Sequence, residues 1–164
     1  SNRALAVSVL ASLGEPYSRG VDFLNNLSFE DSNLPGRFEL RYSREGRAII
    51  FDVAHSPNSL VETLRCFRSC FKEEPRDVLF ALRDDKDVLS IAQSIGEPLS
   101  DENWYCCPAG DHPRSARVDK IGSCLKAKPQ FLVDFPDSNH PLLVTGSTYL
   151  VGALRPKTFG HNES

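Results

Sequence analysis

The sequence predicts an α/β domain with an open, mostly parallel β-sheet flanked by helices, whose first strand is antiparallel to the second. Short strand-like apolar runs alternate with amphipathic helical segments, which is typical of parallel sheets with helices on both faces. A four-residue turn, SREG, joins the first two runs and favours an antiparallel pair there. The 164 residues, 40% hydrophobic and 25% charged, suffice for one buried core.

The first three elements are predicted within residues 38–71. Residues 38–42 and 47–53 are the two strand-like runs on either side of the turn. Pro57 then suits the first turn of a helix, because its missing N–H is not needed there. Apolar side chains follow at spacings of four, three and four, at Leu60, Leu64, Phe67 and Phe71. This spacing predicts an amphipathic helix packed on the sheet.

Three more strands, each followed by a helix, are predicted in the rest of the chain. The pairs are residues 77–82 with about 85–95, residues 103–108 with about 115–125, and residues 141–147 with a short helix to about 154. Pro156 closes the last helix. Residues 131–135, FLVDF, are either an antiparallel edge strand or outside the sheet. Only five residues separate them from the last strand, whereas a parallel crossover needs about a dozen.

A polar, proline-ended connector at residues 30–35 marks the expected domain boundary. Residues 1–33 are predicted to form a helical lead-in, and residues 34–156 the α/β domain. The tail, residues 157–164, is expected to be disordered from Lys157 onwards, as chain ends commonly are.

Composition and charge limit the kinds of molecule that the protein is expected to bind. The net charge of −3 gives no general attraction to nucleic acid or to anionic membranes, which require clustered Lys and Arg. No run of 18 or more apolar residues occurs, and a cytoplasmic protein is expected. The five cysteines show no CxxC pair and no zinc-finger spacing, so reduced thiols and no metal site are predicted. They are Cys66, Cys70, Cys106, Cys107 and Cys124.

Polar residues follow the second and the last predicted strands, where open α/β sheets bind their ligands. Asp52, His55 and Ser56 lie after the second strand, and Ser147 and Thr148 after the last. An Asp there can accept hydrogen bonds from ribose hydroxyls, and an imidazole three residues on can approach a nucleotide. Asp52 could equally be a turn residue and Ser147 a plain helix N-cap.

Three cations are further candidates. Arg37 follows a Pro-Gly turn that would aim its guanidinium at an anionic ligand, although a salt bridge with Glu39 would explain it too. Lys86 lies in an acidic cluster after the third strand, where it either contacts phosphate or substrate or is solvated beside a helix capped by Asp85. Arg114, after the fourth strand, has the same two interpretations.

Six motifs occur in the order and at nearly the spacing found in one family. They are LPGRFEL (34–40), DVAHSP (52–57), RDDKD (83–87), WYCCP (104–108), PRS (113–115) and LLVTGS (142–147). Over residues 34–154 the chain resembles the carboxy-terminal domain of bacterial folylpolyglutamate and dihydrofolate synthases, which are similar to the Mur ligases. LPGR with D-x-A-H-x-P is the most specific part. The resemblance implies a Rossmann-like sheet of the Mur ligase C-terminal type, and residues 2–33 resemble the last helices of the family's central domain.

The resemblance also implies an activity. Such enzymes use ATP and Mg²⁺ to phosphorylate a folate or dihydropteroate carboxylate, and the amine of L-glutamate then attacks the acyl phosphate to form an amide. Arg37 would contact ATP phosphate, Asp52 the ribose, and His55 the nucleotide and the incoming glutamate. Ser147 would receive the glutamate carboxylate. Ser56, where the family usually has Asn, would contribute a shorter contact to ATP.

Two departures from the family pattern matter. The helix that the family places between its last two strands is not evident, and no GxxxxGK[ST] motif occurs in the chain. The partner implied is therefore an N-terminal P-loop domain of the same protein, in an enzyme expected to be a monomer. No catalytic residue is assigned within the chain, which should not ligate by itself. The alternatives are the C-terminal domain of a Mur peptidoglycan ligase and a freestanding, non-catalytic α/β binding module.

Overall fold

The computed structural model describes residues 34–72, 75–97 and 99–159. The chain divides into two units, residues 1–33 and 34–164. The predicted helical lead-in lies outside the described residues.

A six-stranded mixed sheet forms the centre of the described domain, in the order β1-β2-β6-β3-β4-β5. Its strands are β1 Arg37–Tyr42, β2 Ala48–Asp52, β3 Arg76–Phe80, β4 Glu102–Cys106, β5 Lys128–Pro129 and β6 Leu142–Thr145. β1 pairs antiparallel with β2, and the other neighbouring pairs are parallel. The predicted fold class is thus confirmed, including the antiparallel first strand.

Helices cover both faces of the sheet. They are α1 Pro57–Cys70, α2 Val88–Ile95, α3 Val118–Leu125 and α4 Thr148–Leu154, which continues into a 3-10 turn, Arg155–Lys157. Alternate strand residues point to opposite faces: one set packs with α1, α2 and α3, and the other with α4. Large side chains such as Phe67 and Leu79 are fully buried, each worth about 1.5–3 kcal/mol of hydrophobic stabilisation. None of the described helices is long and apolar enough to cross a bilayer.

The helix starts differ in part from those predicted. Pro57 occupies the first turn of α1, as predicted. Ser56 and Ser59 form a capping box there, in which each side chain accepts a hydrogen bond from the backbone N–H of the other. α2 begins at Val88 and not near Asp85, because Asp87 is its N-cap. α3 begins at Val118 and not near Ser115. Residues 115 and 116 instead bond to the segment after β3, through the Arg83–Ser115 bridge and the Ala116 N–H to the Leu82 carbonyl.

Residues 131–135 do not join the sheet, which is one of the two alternatives left by the sequence. The edge is formed by the two-residue β5, parallel to β4, and residues 130–141 cross back to β6 without a helix. Arg47 anchors this irregular connection: its guanidinium donates to the His140 and Pro136 carbonyls and pairs with the fully buried Asp77 at 2.7 Å. The absence of the family's helix from this connection therefore holds in the structure.

The chain end is more ordered than expected. Disorder was predicted from Lys157, but Phe159 forms an antiparallel bridge with Tyr42, with backbone hydrogen bonds of 2.9 Å in both directions. The Arg41 guanidinium also donates to Thr158. These contacts tie residues 157–159 to β1, so the prediction was wrong for them, and residues 160–164 lie outside the described residues.

All five cysteines are free thiols. Cys106 and Cys107 are buried, and burial raises their pKa values to about 11 and about 12. Thiols with such pKa values stay protonated at neutral pH and behave as small core residues.

Candidate functional site

A cleft opens at the carboxyl ends of β2, β6 and β3, where open α/β sheets bind their ligands. Its volume is about 160 Å³. The lining residues are His55, Arg83, Lys86, Gly146, Ser147 and Thr148. The structure thus brings together three of the predicted site residues, His55, Lys86 and Ser147, and adds Arg83, to which the sequence analysis assigned no role.

Gly146 gives the cleft its depth. Its φ of +94° lies in the region that favours glycine, and a Cβ there would overlap the Ala81 carbonyl oxygen and lie 2.7 Å from a Phe80 ring carbon. The Gly146 N–H donates to the Ala54 carbonyl at 2.9 Å. A side chain at this position would push the end of β6 away from Phe80 and Ala81, so glycine is required here.

His55 lines the cleft, and one of its ring nitrogens is engaged by the backbone. Its Nδ1 lies 2.9 Å from the Val53 carbonyl oxygen, which can only accept, so Nδ1 carries the proton. Within the described residues Nε2 has no hydrogen-bond partner, and the side chain is exposed. In the neutral ring Nε2 is therefore an acceptor, and after protonation it becomes a cationic donor.

Both candidate serines are helix N-caps. The Ser56 hydroxyl lies 2.8 Å from the Ser59 hydroxyl within the capping box of α1. The Ser147 hydroxyl accepts from the Tyr149 N–H at 3.2 Å, and only 4% of the Ser147 surface is exposed. The N-cap interpretation of Ser147 thus agrees with the geometry. The ligand contacts suggested for the two serines stay predictions.

Asp52 acts as a hub between three segments. One carboxylate oxygen accepts from the Ala54 N–H (2.8 Å) and the Thr63 hydroxyl (3.0 Å), and the other accepts from the Phe38 N–H (2.9 Å). Phe38 lies at a bulge between β1 and β2 and has a φ of +54°, an unfavourable conformation for a bulky residue. Asp52 therefore holds the bulge and the loop before α1. A carboxylate has about four acceptor positions, so one remains for a ligand.

Arg37 is exposed beside this bulge, and its strand partner is Asp52. The Pro-Gly turn before it is closed by the Arg37 N–H to the Leu34 carbonyl, with Gly36 at a φ of +67°. The suggested salt bridge with Glu39 was wrong, because the Glu39 carboxylate accepts three hydrogen bonds from Arg155 and one from Arg41. No ion pair of Arg37 occurs among the described residues, so the guanidinium is available to an anion.

The Glu39 carboxyl is part of the framework behind the site. Burial alone would raise its pKa, but the Arg155 guanidinium and the Gly36 N–H, at 2.8 Å, outweigh burial and hold the pKa below its usual range. Glu39 therefore stays ionised at neutral pH and fixes the Pro-Gly turn that precedes Arg37.

The aspartates of the acidic cluster after β3 make different contacts. Asp87 caps α2, a role expected of Asp85 from the sequence. Asp85 accepts instead from the Arg83 guanidinium at 3.1 Å. Arg114 pairs with Asp84 at 3.3 Å and reaches Asp85 at 3.9 Å. Arg114 thus contacts the cluster and does not line the cleft, whereas Lys86 does.

No group of three or more His, Cys, Asp or Glu side chains within residues 34–72, 75–97 and 99–159 could hold a metal ion. The residues that line the cleft offer two cations, Arg83 and Lys86, for anion binding, and His55 for hydrogen bonding.

Residues 36–140 match the family model described as "Mur ligase, glutamate ligase domain". This chain belongs to the Mur ligase family. A comparison with curated protein sequences found no match.

Solved structures of three synthases resemble this Mur ligase chain. One is Mycobacterium tuberculosis folylpolyglutamate synthase complexed with ADP and AMPPCP: 19% identity, a TM-score of 0.68, and coverage of 96% of this chain and 38% of that one. Thermotoga maritima folylpolyglutamate synthase has 23% identity and a TM-score of 0.64, and the match covers 94% of this chain and 37% of that one. The Yersinia pestis bifunctional folylpolyglutamate/dihydrofolate synthase complexed with AMPPNP and Mn has 20% identity and a TM-score of 0.60. That match covers 85% of this chain and 38% of the other.

These values establish a shared fold. The chain spans less than two fifths of the length of each of these three proteins.

Proposed function

We propose that this chain is the C-terminal domain of an ATP-dependent ligase that joins L-glutamate to folate or dihydropteroate through an acyl phosphate. The observation that carries the proposal is the cleft at the carboxyl ends of β2, β3 and β6, which is lined by Arg83, Lys86 and His55. Mur ligase family membership and the likeness to three folylpolyglutamate synthases support it.

The charges of the site suit the chemistry proposed. Phosphoryl transfer and amide formation both build negative charge on oxygen, which preorganised cations stabilise. Arg37, exposed and without an ion pair among the described residues, would contact ATP phosphate. Asp52 retains one acceptor position for a ribose hydroxyl while it holds the bulge beside Arg37. Ser56, the N-cap of α1, would lie at the edge of the nucleotide.

The amino-acid substrate would occupy the cleft. A volume of about 160 Å³ is below the about 300–1,000 Å³ of sites that enclose drug-sized ligands, so it suits a small acid better than a nucleotide. Lys86 would bind a carboxylate, with His55 and Ser147 beside it. A related bifunctional synthase was crystallised with Mn, AMPPNP and L-glutamate, which supports glutamate as that acid. Mg²⁺ would accompany ATP, and we assign it no ligand in this domain.

Free thiols suit a reducing compartment, which supports a cytoplasmic location. The proposed enzyme would work as a monomer and would need a P-loop domain of the same protein to complete the ATP site.

The test is ATP-dependent incorporation of labelled L-glutamate by the full-length protein, with folate and dihydropteroate as acceptors. Arg37→Ala should lower kcat/KM for ATP about 10- to 100-fold, the cost of one charge-assisted hydrogen bond. Arg44→Ala is the matched control, because Arg44 is also exposed but lies in the turn at the far end of β1. Absence of glutamate incorporation by the wild type would refute the proposed function, and wild-type kinetics in R37A would refute the role of Arg37.

A further inference from the structure

We propose that Arg83 determines substrate specificity in the cleft by binding a second carboxylate of the incoming amino acid. The inference rests on the proposed function and deepens it. It begins from the guanidinium of Arg83, which lines the cleft together with Lys86 and His55.

The guanidinium of Arg83 is held at one end only. One terminal nitrogen donates to Asp85 at 3.1 Å, while Nε is buried and has no hydrogen-bond partner in the described part of the chain. Buried N–H groups without partners are uncommon and costly in folded proteins. The other terminal nitrogen has no hydrogen-bond partner in the described part of the chain, so a ligand oxygen in the cleft would engage the terminal N–H groups while Nε stays buried.

The charges around the cleft indicate which kind of ligand fits. Arg83 and Lys86 contribute two positive charges, and Asp85 offsets one of them. Asp85 also lies 3.9 Å from Arg114, whose closer partner is Asp84 at 3.3 Å, so Asp85 is shared between two guanidinium groups. Two separate cations on one small cleft match an amino acid that carries a side-chain carboxylate in addition to its α-carboxylate. One cation would suffice for a neutral amino acid.

Such an arrangement rejects the wrong substrate as well as binding the right one. Glutamine has nearly the shape of glutamate, but its side chain is uncharged and has one acceptor oxygen where glutamate has two. A guanidinium that engages both side-chain oxygens of glutamate would face the NH₂ donor of glutamine at one of the two positions. Arg83 would thus favour an acidic amino acid over its amide. Asp85 acts as a positioning residue that fixes the guanidinium.

The experiment compares Arg83→Gln and Arg83→Lys in the full-length protein. We expect R83Q to raise KM for L-glutamate about 10- to 100-fold, the loss of a charge-assisted hydrogen bond, with KM for ATP within about twofold of wild type. The preference for L-glutamate over L-glutamine should fall by a similar factor. R83K keeps the charge but loses the forked geometry, so its KM for glutamate should lie between those of the wild type and R83Q.

Arg117→Gln is the matched control. Arg117 also pairs with an aspartate two residues on, Asp119, but it is 82% exposed and does not line the cleft. Its kinetics should equal those of the wild type. If R83Q behaves like R117Q, or if KM for ATP and for glutamate rise together in both Arg83 variants, the specificity role is refuted.

A direct binding measurement separates this inference from the proposed function. L-glutamate alone is titrated into the full-length protein, and the Nε–H signal of Arg83 is followed by NMR and assigned by its loss in R83K. Movement of that signal supports the inference even in a protein that incorporates no glutamate. A signal that stays still up to saturating glutamate refutes it, whatever the wild type ligates.

Discussion

Asp52 and Gly146 shape the site without reacting in it. Asp52 holds a bulge, a loop and the side chain of Thr63 with one carboxylate, and Gly146 lets β6 approach the end of β3. Asp52 belongs to the motif DVAHSP and Gly146 to the motif LLVTGS, two of the six that carry the family resemblance. Part of the specificity of these motifs therefore comes from local backbone geometry, and Asp52 places the segments that carry Arg37 and His55.

Gly146→Ala tests this dependence. The added methyl would overlap the Ala81 carbonyl and force an L side chain to a φ of +94°, so we expect a loss of about 2–4 kcal/mol in the free energy of unfolding. Urea unfolding of the chain measures the change.

Gly152→Ala is the control for that substitution. Gly152 lies within α4, is exposed, and has open space where a Cβ would stand. Alanine is the better helix former by about 1 kcal/mol, so G152A should be neutral or slightly stabilising. Equal effects of the two substitutions would contradict the steric account of Gly146.

The sequence predicted most of the polar residues that follow the carboxyl ends of the strands, but not Arg83, which lines the cleft with them. His55, Lys86 and Ser147 meet in one cleft because parallel strands end at one edge, which the strand-helix pattern predicts. Arg83 was missed, although it opens the RDDKD motif. Its orientation depends on the pairing with Asp85 and on the contact of the 115–116 segment with the end of β3, and neither has a periodic signal in the sequence.

At the scale of elements, Arg68 and Glu102 join α1 to β4. Arg68 makes two hydrogen bonds to the buried Glu102 carboxylate, at 2.7 and 2.9 Å, and the Trp104 indole N–H donates to it as well. Burial would raise the pKa of Glu102, but the hydrogen bonds and the charge of Arg68 outweigh burial and lower it. The helix and the strand therefore share one buried ion pair whose strength depends on pH.

Arg68→Met should show this dependence. Because the folded-state pKa of Glu102 is lowered, its contribution to stability is present above the unfolded pKa of about 4.3 and is lost as pH falls through the folded value. At pH 7 we expect R68M to be destabilised by about 2–4 kcal/mol, since it leaves a buried carboxylate with one weaker cationic partner, Arg76 at 3.7 Å. The difference from wild type should shrink as pH falls below about 4. Urea unfolding at pH 7, 5, 4 and 3 measures it.

Arg65→Met, on the same helix, is the comparison. Arg65 pairs with Glu62 in solvent, with 69% and 64% of the two side chains exposed, so its loss should cost less than about 1 kcal/mol at any pH. If the deficit of R68M is as large at pH 3 as at pH 7, ionised Glu102 is not the source of the stabilisation.

Most elements were predictable because their apolar residues repeat with the period of the structure. α1 follows from four apolar positions and an early proline, and the antiparallel β1–β2 pair from its short turn. The start of α3 and the edge strand β5 could not be predicted. Residues 115–116 pair with a segment distant in the sequence, which no local pattern indicates. β5 has only two residues, one of them a proline, so the sequence there shows no strand-like alternation.

At the scale of the molecule, the cleft cations Arg83 and Lys86 lie near the carboxyl ends of the parallel strands, and the buried ion pair of Arg47 and Asp77 lies at the opposite ends. The carboxyl ends can bind anions, while Arg47 fixes the crossover into β6. Arg83 and Lys86 are only partly buried, so substitutions at these two cations should change ligand affinity with little effect on folding.

Binding of ATP to the 164-residue chain by itself tests whether the carboxyl ends of the strands form a complete nucleotide site. The free cations Arg37 and Lys86 lie near the sheet edge, the cleft is smaller than a nucleotide needs, and the sequence has no phosphate-binding GxxxxGK[ST] loop. We therefore expect a Kd weaker than about 1 mM, or about −4 kcal/mol, by titration calorimetry. The full-length protein, titrated with the same nucleotide, should bind more tightly by at least about tenfold. Micromolar binding by the chain alone would mean that the domain holds its own phosphate site, and Arg37→Ala and Lys86→Ala would then show which cation forms it.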